Sequence, residues 1–136
     1  MVALVILTPW LIVLSVIDIR EQRLPNALTL PGAAVILGVA GWCGSGAAAL
    51  AGAGALAGGY LLMHLLAPSA MGAGDVKLAL GLGALTGAVG IEAWVVAALA
   101  APLCTAIWGL VTGARVLPHG PSMCLATGLV LVTWGV

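Results

Sequence analysis

Long apolar segments separated by short polar ones run through the whole chain. A helix that crosses a bilayer needs about 20 apolar residues at a rise of 1.5 Å per residue, and fewer where neighbouring protein helps. By that measure the sequence predicts six membrane-spanning helices, at residues 2–17, 26–42, 47–67, 76–89, 93–112 and 121–136. The predicted fold class is therefore all-α: a polytopic membrane protein with six transmembrane helices, in which residues 1–136 form one transmembrane domain.

The composition strengthens this interpretation. Of 136 residues, 63% are hydrophobic and 6% are charged, whereas an ordinary soluble domain has roughly 25% charged residues. Four basic and four acidic side chains cannot cover a water-soluble globule of this size. They also offer no basic surface for phosphates, so the predicted partner is the lipid bilayer and not nucleic acid.

The 20 glycines predict close packing between helices, because glycine lets two backbones approach each other. Three G-x-x-x-G pairs could each form a helix contact: Gly54 and Gly58, Gly83 and Gly87, and Gly109 and Gly113. Such pairs also arise by chance in a glycine-rich chain, so they predict no oligomeric state.

The basic residues predict the orientation, because Lys and Arg in short loops stay on the cytoplasmic side of a membrane. All four fall on one side of the predicted spans: Arg20, Arg23, Lys77 and Arg115. We therefore expect a multi-pass protein of the inner (cytoplasmic) membrane with both termini outside. Glu92 is the only charged residue predicted on the outer side.

Two acidic residues are predicted at the same depth on the cytoplasmic side. Asp18 closes the first predicted span and Asp75 opens the fourth, so packing of helix one against helix four could bring their carboxylates together. Two close carboxylates can share one proton, so that one deprotonates a water while the other polarises a carbonyl. That chemistry hydrolyses peptide bonds.

Each acid also has a purely structural alternative. Asp18 could be an exposed acid at a helix end, paired with Arg20 or Arg23, and Asp75 could cap its own helix. Gly72 and Gly74 favour a functional role, because glycines before an acid leave room for an extended substrate backbone. A transporter gate or a channel would use the same feature, although transporter sites lie near the middle of the membrane.

Three segments resemble the type IV prepilin peptidase family. Residues 18–26, D-I-R-E-Q-R-L-P-N, resemble its first motif, an Asp followed by a basic residue and ending in an aliphatic residue, Pro and Asn. Residues 72–77, G-A-G-D-V-K, are similar to its second motif, G-x-G-D-x-K, which presenilin-like intramembrane proteases share in shorter form. Residues 118–121, P-H-G-P, resemble the P-x-G-P segment that opens the family's last helix.

The resemblance implies an aspartic endopeptidase that removes the short basic leader from prepilins or pseudopilins at the cytoplasmic membrane face, cutting after a glycine. Such cleavage serves type IV pilus assembly or protein secretion. Asp18 and Asp75 are the implied catalytic pair. The implied substrate-binding residues are Gly72, Gly74, Lys77, Pro25 and Asn26. Preflagellin peptidases and regulated intramembrane aspartic proteases would share the acid pair and remain alternatives.

No cofactor and no metal site is predicted. Cys43, Cys104 and Cys124 form no C-x-x-C pair and are interpreted as small packing residues, and neither His64 nor His119 has further ligands nearby in sequence. Larger members of the resembled family add a cytoplasmic segment with paired cysteines and methylate the new N-terminus. Because this sequence begins with a span and has no C-x-x-C, we expect peptidase activity without methyl transfer.

Overall fold

The computed structural model describes residues 2–136, and within that range the chain forms six α-helices and no β-strand. The helices are α1 (Val2–Glu21), α2 (Asn26–Trp42), α3 (Gly46–Leu66), α4 (Ala73–Val89), α5 (Ile91–Thr112) and α6 (Gly120–Thr133). The predicted all-α fold with six helices is confirmed. Met1, which the predicted domain includes, lies outside the described residues.

The helix bounds differ from the predicted spans mainly near the two acids. α1 continues beyond residue 17 to Glu21, so Asp18 lies inside the helix. α4 begins at Ala73 instead of residue 76, which puts Asp75 in its first turn. α6 ends at Thr133 and not at the predicted residue 136.

The outer surface of the bundle is apolar. Among residues 2–136, the three helices α1, α3 and α5 are long and apolar enough to cross a membrane, and α2 and α6 are shorter apolar helices. Large apolar side chains such as Val5, Leu66 and Leu110 are exposed. Exposed apolar surface on this scale is suited to lipid and not to water, so the chain is a membrane protein.

α4 is the central helix and contacts α2, α3, α5 and α6. Its contact with α3 is the most extensive in the bundle, because small residues let the two backbones approach closely. A Cβ atom added to Gly83 would lie 2.5 Å from the carbonyl oxygen of Gly52, and one on Gly87 would lie 2.7 Å from that of Ala48. The Gly83–Gly87 pair is thus a helix contact, as predicted.

The other two G-x-x-x-G pairs do not form a comparable contact. A Cβ atom on Gly54 or Gly58 would meet no atom of the described residues within 4 Å, and the same is true of Gly113. Gly109 faces only the Leu117 side chain of the following loop at close range. Within the described residues, neither of these two pairs forms a contact between helices.

The α3–α4 contact gives a stability prediction. Gly83→Val should destabilise the fold by about 3 kcal/mol, because overpacking against the α3 backbone cannot be relieved by a rotamer change. Gly58→Val, on an open face of α3, is the matched control and should cost less than about 1 kcal/mol. Thermal unfolding in detergent, followed by Trp fluorescence, measures both, and equal losses would contradict this packing.

The main backbone contact of α1 is with α6, and its contact with α4, which the two acids predicted, is made by side chains. It reaches the neighbouring helices through Trp10, whose indole N–H donates to the Leu28 carbonyl at 3.1 Å and whose ring lies against Gly32 and Gly81. A large aromatic side chain here fills the space between α1, α2 and α4. Asp18 on α1 is therefore brought towards α4 by side-chain packing and not by a close contact between the two helix backbones.

Connecting loops bring six helix ends together at what we call the polar end of the bundle: the ends of α1, α3 and α5 at Glu21, Leu66 and Thr112, and the starts of α2, α4 and α6 at Asn26, Ala73 and Gly120. His64 at the end of α3 bonds through Nδ1 to the Met71 carbonyl at 2.6 Å, which ties down the loop before α4.

Candidate active site

Asp18 is held inside the polar end. It lies in the last turns of α1, and the helix ends when Gln22 adopts a left-handed conformation with φ of 50°. The Asp18 side chain is only 5% exposed, and its Oδ2 accepts a hydrogen bond from the Gly120 backbone N–H at 3.0 Å. The alternative in which Asp18 is an exposed helix-end acid is therefore wrong.

Asp75 lies opposite, in the first turn of α4. The N-cap position of this helix is Gly72, in an extended conformation, so Asp75 is not itself the cap residue. Its side chain is 9% exposed and borders the same cavity as Asp18. The start of a helix stabilises negative charge and partly offsets the cost of burying this carboxylate.

Both acids line one cavity of about 270 Å³ at the polar end. Its wall is formed by the end of α1, the loop after it and the start of α4: Asp18, Gln22, Arg23, Leu24, Gly72, Ala73, Gly74, Asp75 and Lys77. This space is large enough for several water molecules or a short length of extended peptide. Three larger grooves, of about 470, 450 and 300 Å³, have mainly apolar linings on the sides of the bundle and contain neither acid.

The two motif glycines have different surroundings. A Cβ atom on Gly72 would meet only Asp75 Oδ2, at an ordinary 3.6 Å, so the backbone at Gly72 borders open cavity. A Cβ atom on Gly74 would lie 3.1 Å from Leu24 Cβ. The space beside Gly74 is thus filled by the α1–α2 loop, and only Gly72 leaves the free room that the sequence suggested for both.

A side-chain hydrogen bond joins α4 to the start of α2. Lys77 lines the cavity, and its Nζ donates to Asn26 Oδ1 at 2.7 Å. Pro25 stands at the N-cap of α2, where its carbonyl accepts from the Leu28 and Thr29 N–H groups at 3.1 Å. Pro25 and Asn26 lie outside the cavity wall, so of the predicted substrate-binding residues only Gly72, Gly74 and Lys77 border the space between the acids.

Segment 118–121 supplies two residues whose roles the sequence left open. Gly120, the first residue of α6, presents its N–H to Asp18, and a Cβ atom there would lie 2.5 Å from Asp18 Oδ2. His119 lies between Tyr60 and Thr105, bonded to both hydroxyls. The only sequence feature that pointed to these two residues was the P-H-G-P segment itself, because a hydropathy pattern gives no information about backbone hydrogen-bond donors.

Nothing in the described residues resembles a metal site, since residues 2–136 contain no group of three or more His, Cys, Asp or Glu that could hold an ion. The packing role predicted for cysteine fits Cys124, which is buried, and Cys104 is partly buried. For Cys43 it is wrong, because that side chain is exposed.

A family model described as the type IV leader peptidase family matches residues 5–110 of the chain. The matched range contains both acids and the cavity wall, and it ends before segment 118–121. Comparisons with curated proteins and with solved structures gave no significant match.

Proposed function

The chain belongs to the type IV leader peptidase family, a family of proteases, and on this premise we propose that it is an aspartic endopeptidase that cleaves the basic leader from prepilins or pseudopilins. Asp18 and Asp75 are the proposed catalytic pair. The observation that carries the proposal is that two buried acids from separate helices border one cavity at the polar end.

The pair can perform peptide hydrolysis without a cofactor. Two close carboxylates in a site poor in water hold one proton between them. The ionised carboxylate takes a proton from a water, the water oxygen attacks the scissile carbonyl carbon, and the protonated carboxyl donates its proton to the carbonyl oxygen. As the tetrahedral intermediate collapses, the carboxyl that took the water proton gives it to the leaving nitrogen and the other carboxylate takes a hydroxyl proton from the intermediate. The C–N bond breaks, the C=O bond re-forms, and the pair again holds one proton.

The location of the acids favours a peptidase over a transporter or channel. Transporter sites lie near the middle of the membrane, between broken helices. Asp18 and Asp75 are instead in terminal turns of α1 and α4, where a substrate helix would leave the bilayer and its extended leader would begin. Among proteases, the alternatives are peptidases that cleave preflagellins or intramembrane substrates. The cleavage assay distinguishes these substrates from prepilins and pseudopilins.

We propose that the polar end faces the cytoplasm in the inner membrane, with both termini outside. Arg20, Arg23, Lys77 and Arg115 all belong to this end of the bundle, in agreement with the positive-inside rule. A reporter fused after Val136 should read outside, and one inserted at Arg115 should read cytoplasmic. A cytoplasmic signal at Val136 or an external one at Arg115 would contradict this orientation.

Fit at the scissile bond is expected to dominate substrate recognition. The free side of Gly72 suits an extended backbone that carries the small residue after which the family cuts. Replacing that substrate glycine by Val should slow cleavage about tenfold or more, because the added methyl groups meet the cavity wall. Neutralising one leader charge should matter only about twofold, since exposed Arg20 and Arg23 offset the nearby acids.

Quantified immunoblots of the two substrate variants compare these effects. A charge variant that is cut more slowly than the Val variant would mean that electrostatic docking governs recognition.

Co-expression with candidate prepilins and pseudopilins tests the proposed function. A C-terminally tagged substrate should shift by the size of its leader, and its new N-terminus should follow a glycine. Chelators should leave this cleavage intact, because the proposed mechanism uses two carboxylates and a water. The expectation of peptidase activity without methyl transfer stays a prediction, read in the same assay from the mass of the new N-terminus.

A further inference from the structure

His119 connects two helices immediately beside the proposed catalytic pair. Its Nε2 lies 2.7 Å from the hydroxyl of Tyr60 on α3, and its Nδ1 lies 2.6 Å from the hydroxyl of Thr105 on α5. Its ring is also tilted against that of Tyr60, with centroids 5.5 Å apart. A loop residue that precedes α6 is thus fixed at both ring nitrogens.

The hydrogen-bond pattern favours one form of the imidazole. A Thr105 hydroxyl that donates its single hydrogen to the Ala101 carbonyl, 3.2 Å away, accepts from His119 Nδ1–H. His119 Nε2 then carries no proton and accepts from the Tyr60 O–H. Burial lowers the pKa of His119, which agrees with a neutral ring in this role.

The residue that follows His119 is Gly120, whose N–H donates to Asp18 Oδ2. The Tyr60–His119–Thr105 chain therefore fixes the backbone that donates to Asp18.

We propose that His119 is a positioning residue, which holds the start of α6 between α3 and α5 so that the Gly120 N–H stays on Asp18. The proposal rests on the proposed function for its effect on cleavage. His119 touches neither the water nor the peptide in this role. It acts through the Gly120 backbone, whose bond to a carboxylate is stronger than one between neutral groups.

The test uses variants that remove the two bonds together or separately. His119→Phe keeps a ring but removes both bonds, and we expect kcat to fall about tenfold with little change in KM. His119→Gln offers an amide oxygen to Tyr60, and His119→Asn offers an amide N–H to Thr105, so each should recover part of the loss. Thr105→Val removes only the Nδ1 bond, so it should lower kcat by part of the His119→Phe loss, whereas Thr112→Val, a matched change near the end of the same helix, should leave kcat unchanged.

A double-mutant cycle separates this role from general packing. Tyr60→Phe should lower kcat in the wild-type background but add little in the His119→Phe background, because the bond is already absent. Fully additive losses, or a His119→Phe enzyme with wild-type kcat, would overturn the proposal.

Two measurements do not depend on cleavage. ¹⁵N NMR of labelled histidine should show His119 protonated at Nδ1 alone, with His64→Gln used to assign the signals. Exchange of the Gly120 amide with deuterium should become about tenfold faster in His119→Phe. If the wild-type protein cleaved no substrate but exchange of the Gly120 amide were still faster in His119→Phe, the proposed function would fail and the positioning of Gly120 would stand. Unchanged exchange in His119→Phe would overturn the positioning itself.

Discussion

Asp18→Asn and Asp75→Asn are each expected to lower prepilin cleavage by about a thousandfold or more, because residues that act as one catalytic unit lose nearly all activity when either is removed. An amide cannot take the proton from water, and it cannot donate one as a carboxyl does. Asn has nearly the same shape as Asp, so either substitution leaves the cavity that both side chains border nearly unchanged in shape.

The control for these variants is Glu21→Gln. Glu21 is an acid at the exposed end of α1, one turn beyond Asp18, and its loss should leave cleavage within about twofold of wild type. Arg115→Gln, in the loop before α6, should be equally mild. Membrane extraction and thermal unfolding of each Asn variant must match wild type. Near wild-type processing by either Asn variant would exclude the catalytic pair.

Hydropathy was sufficient to predict the helices, because short segments with Gly, Pro or charged residues separate the apolar segments and set their bounds within a few residues. The bounds of α2 agree completely, at Asn26 and Trp42. The shared end of Asp18 and Asp75 also follows from the alternating direction of consecutive helices. Neither inference requires knowing which helices touch.

The helix contacts could not be predicted in the same way, because packing depends on shape. Nothing in the pattern distinguishes Gly83, which meets the α3 backbone, from Gly58, which faces away from the other helices. The close backbone contact of α1 with α6, and its side-chain contact with α4 through Trp10, likewise depend on how side chains fill space. The hydrogen bond from Gly120 to Asp18 joins residues that are far apart in sequence and involves a backbone atom.

Gly120→Ala is expected to lower cleavage about a hundredfold, although it adds one methyl group. The new Cβ would lie 2.5 Å from Asp18 Oδ2 and 3.1 Å from Asp18 Cγ, so the carboxylate must move. A displaced carboxylate loses the N–H bond and its alignment with Asp75, and small misplacements of a catalytic group are known to cost this much. The loss should appear in kcat, because the substrate-facing side of Gly72 is unaffected.

Gly128→Ala makes the same change on the same helix and provides the control. Its Cβ would meet Leu11 Cδ1 at an ordinary 3.9 Å, so cleavage should stay at the wild-type level. Stability should rise by up to about 1 kcal/mol, since alanine is the better helix former. Initial cleavage rates and unfolding temperatures of the two variants decide the matter. If Gly120→Ala cleaved as fast as Gly128→Ala, the backbone of α6 would have no part in holding Asp18 for the reaction.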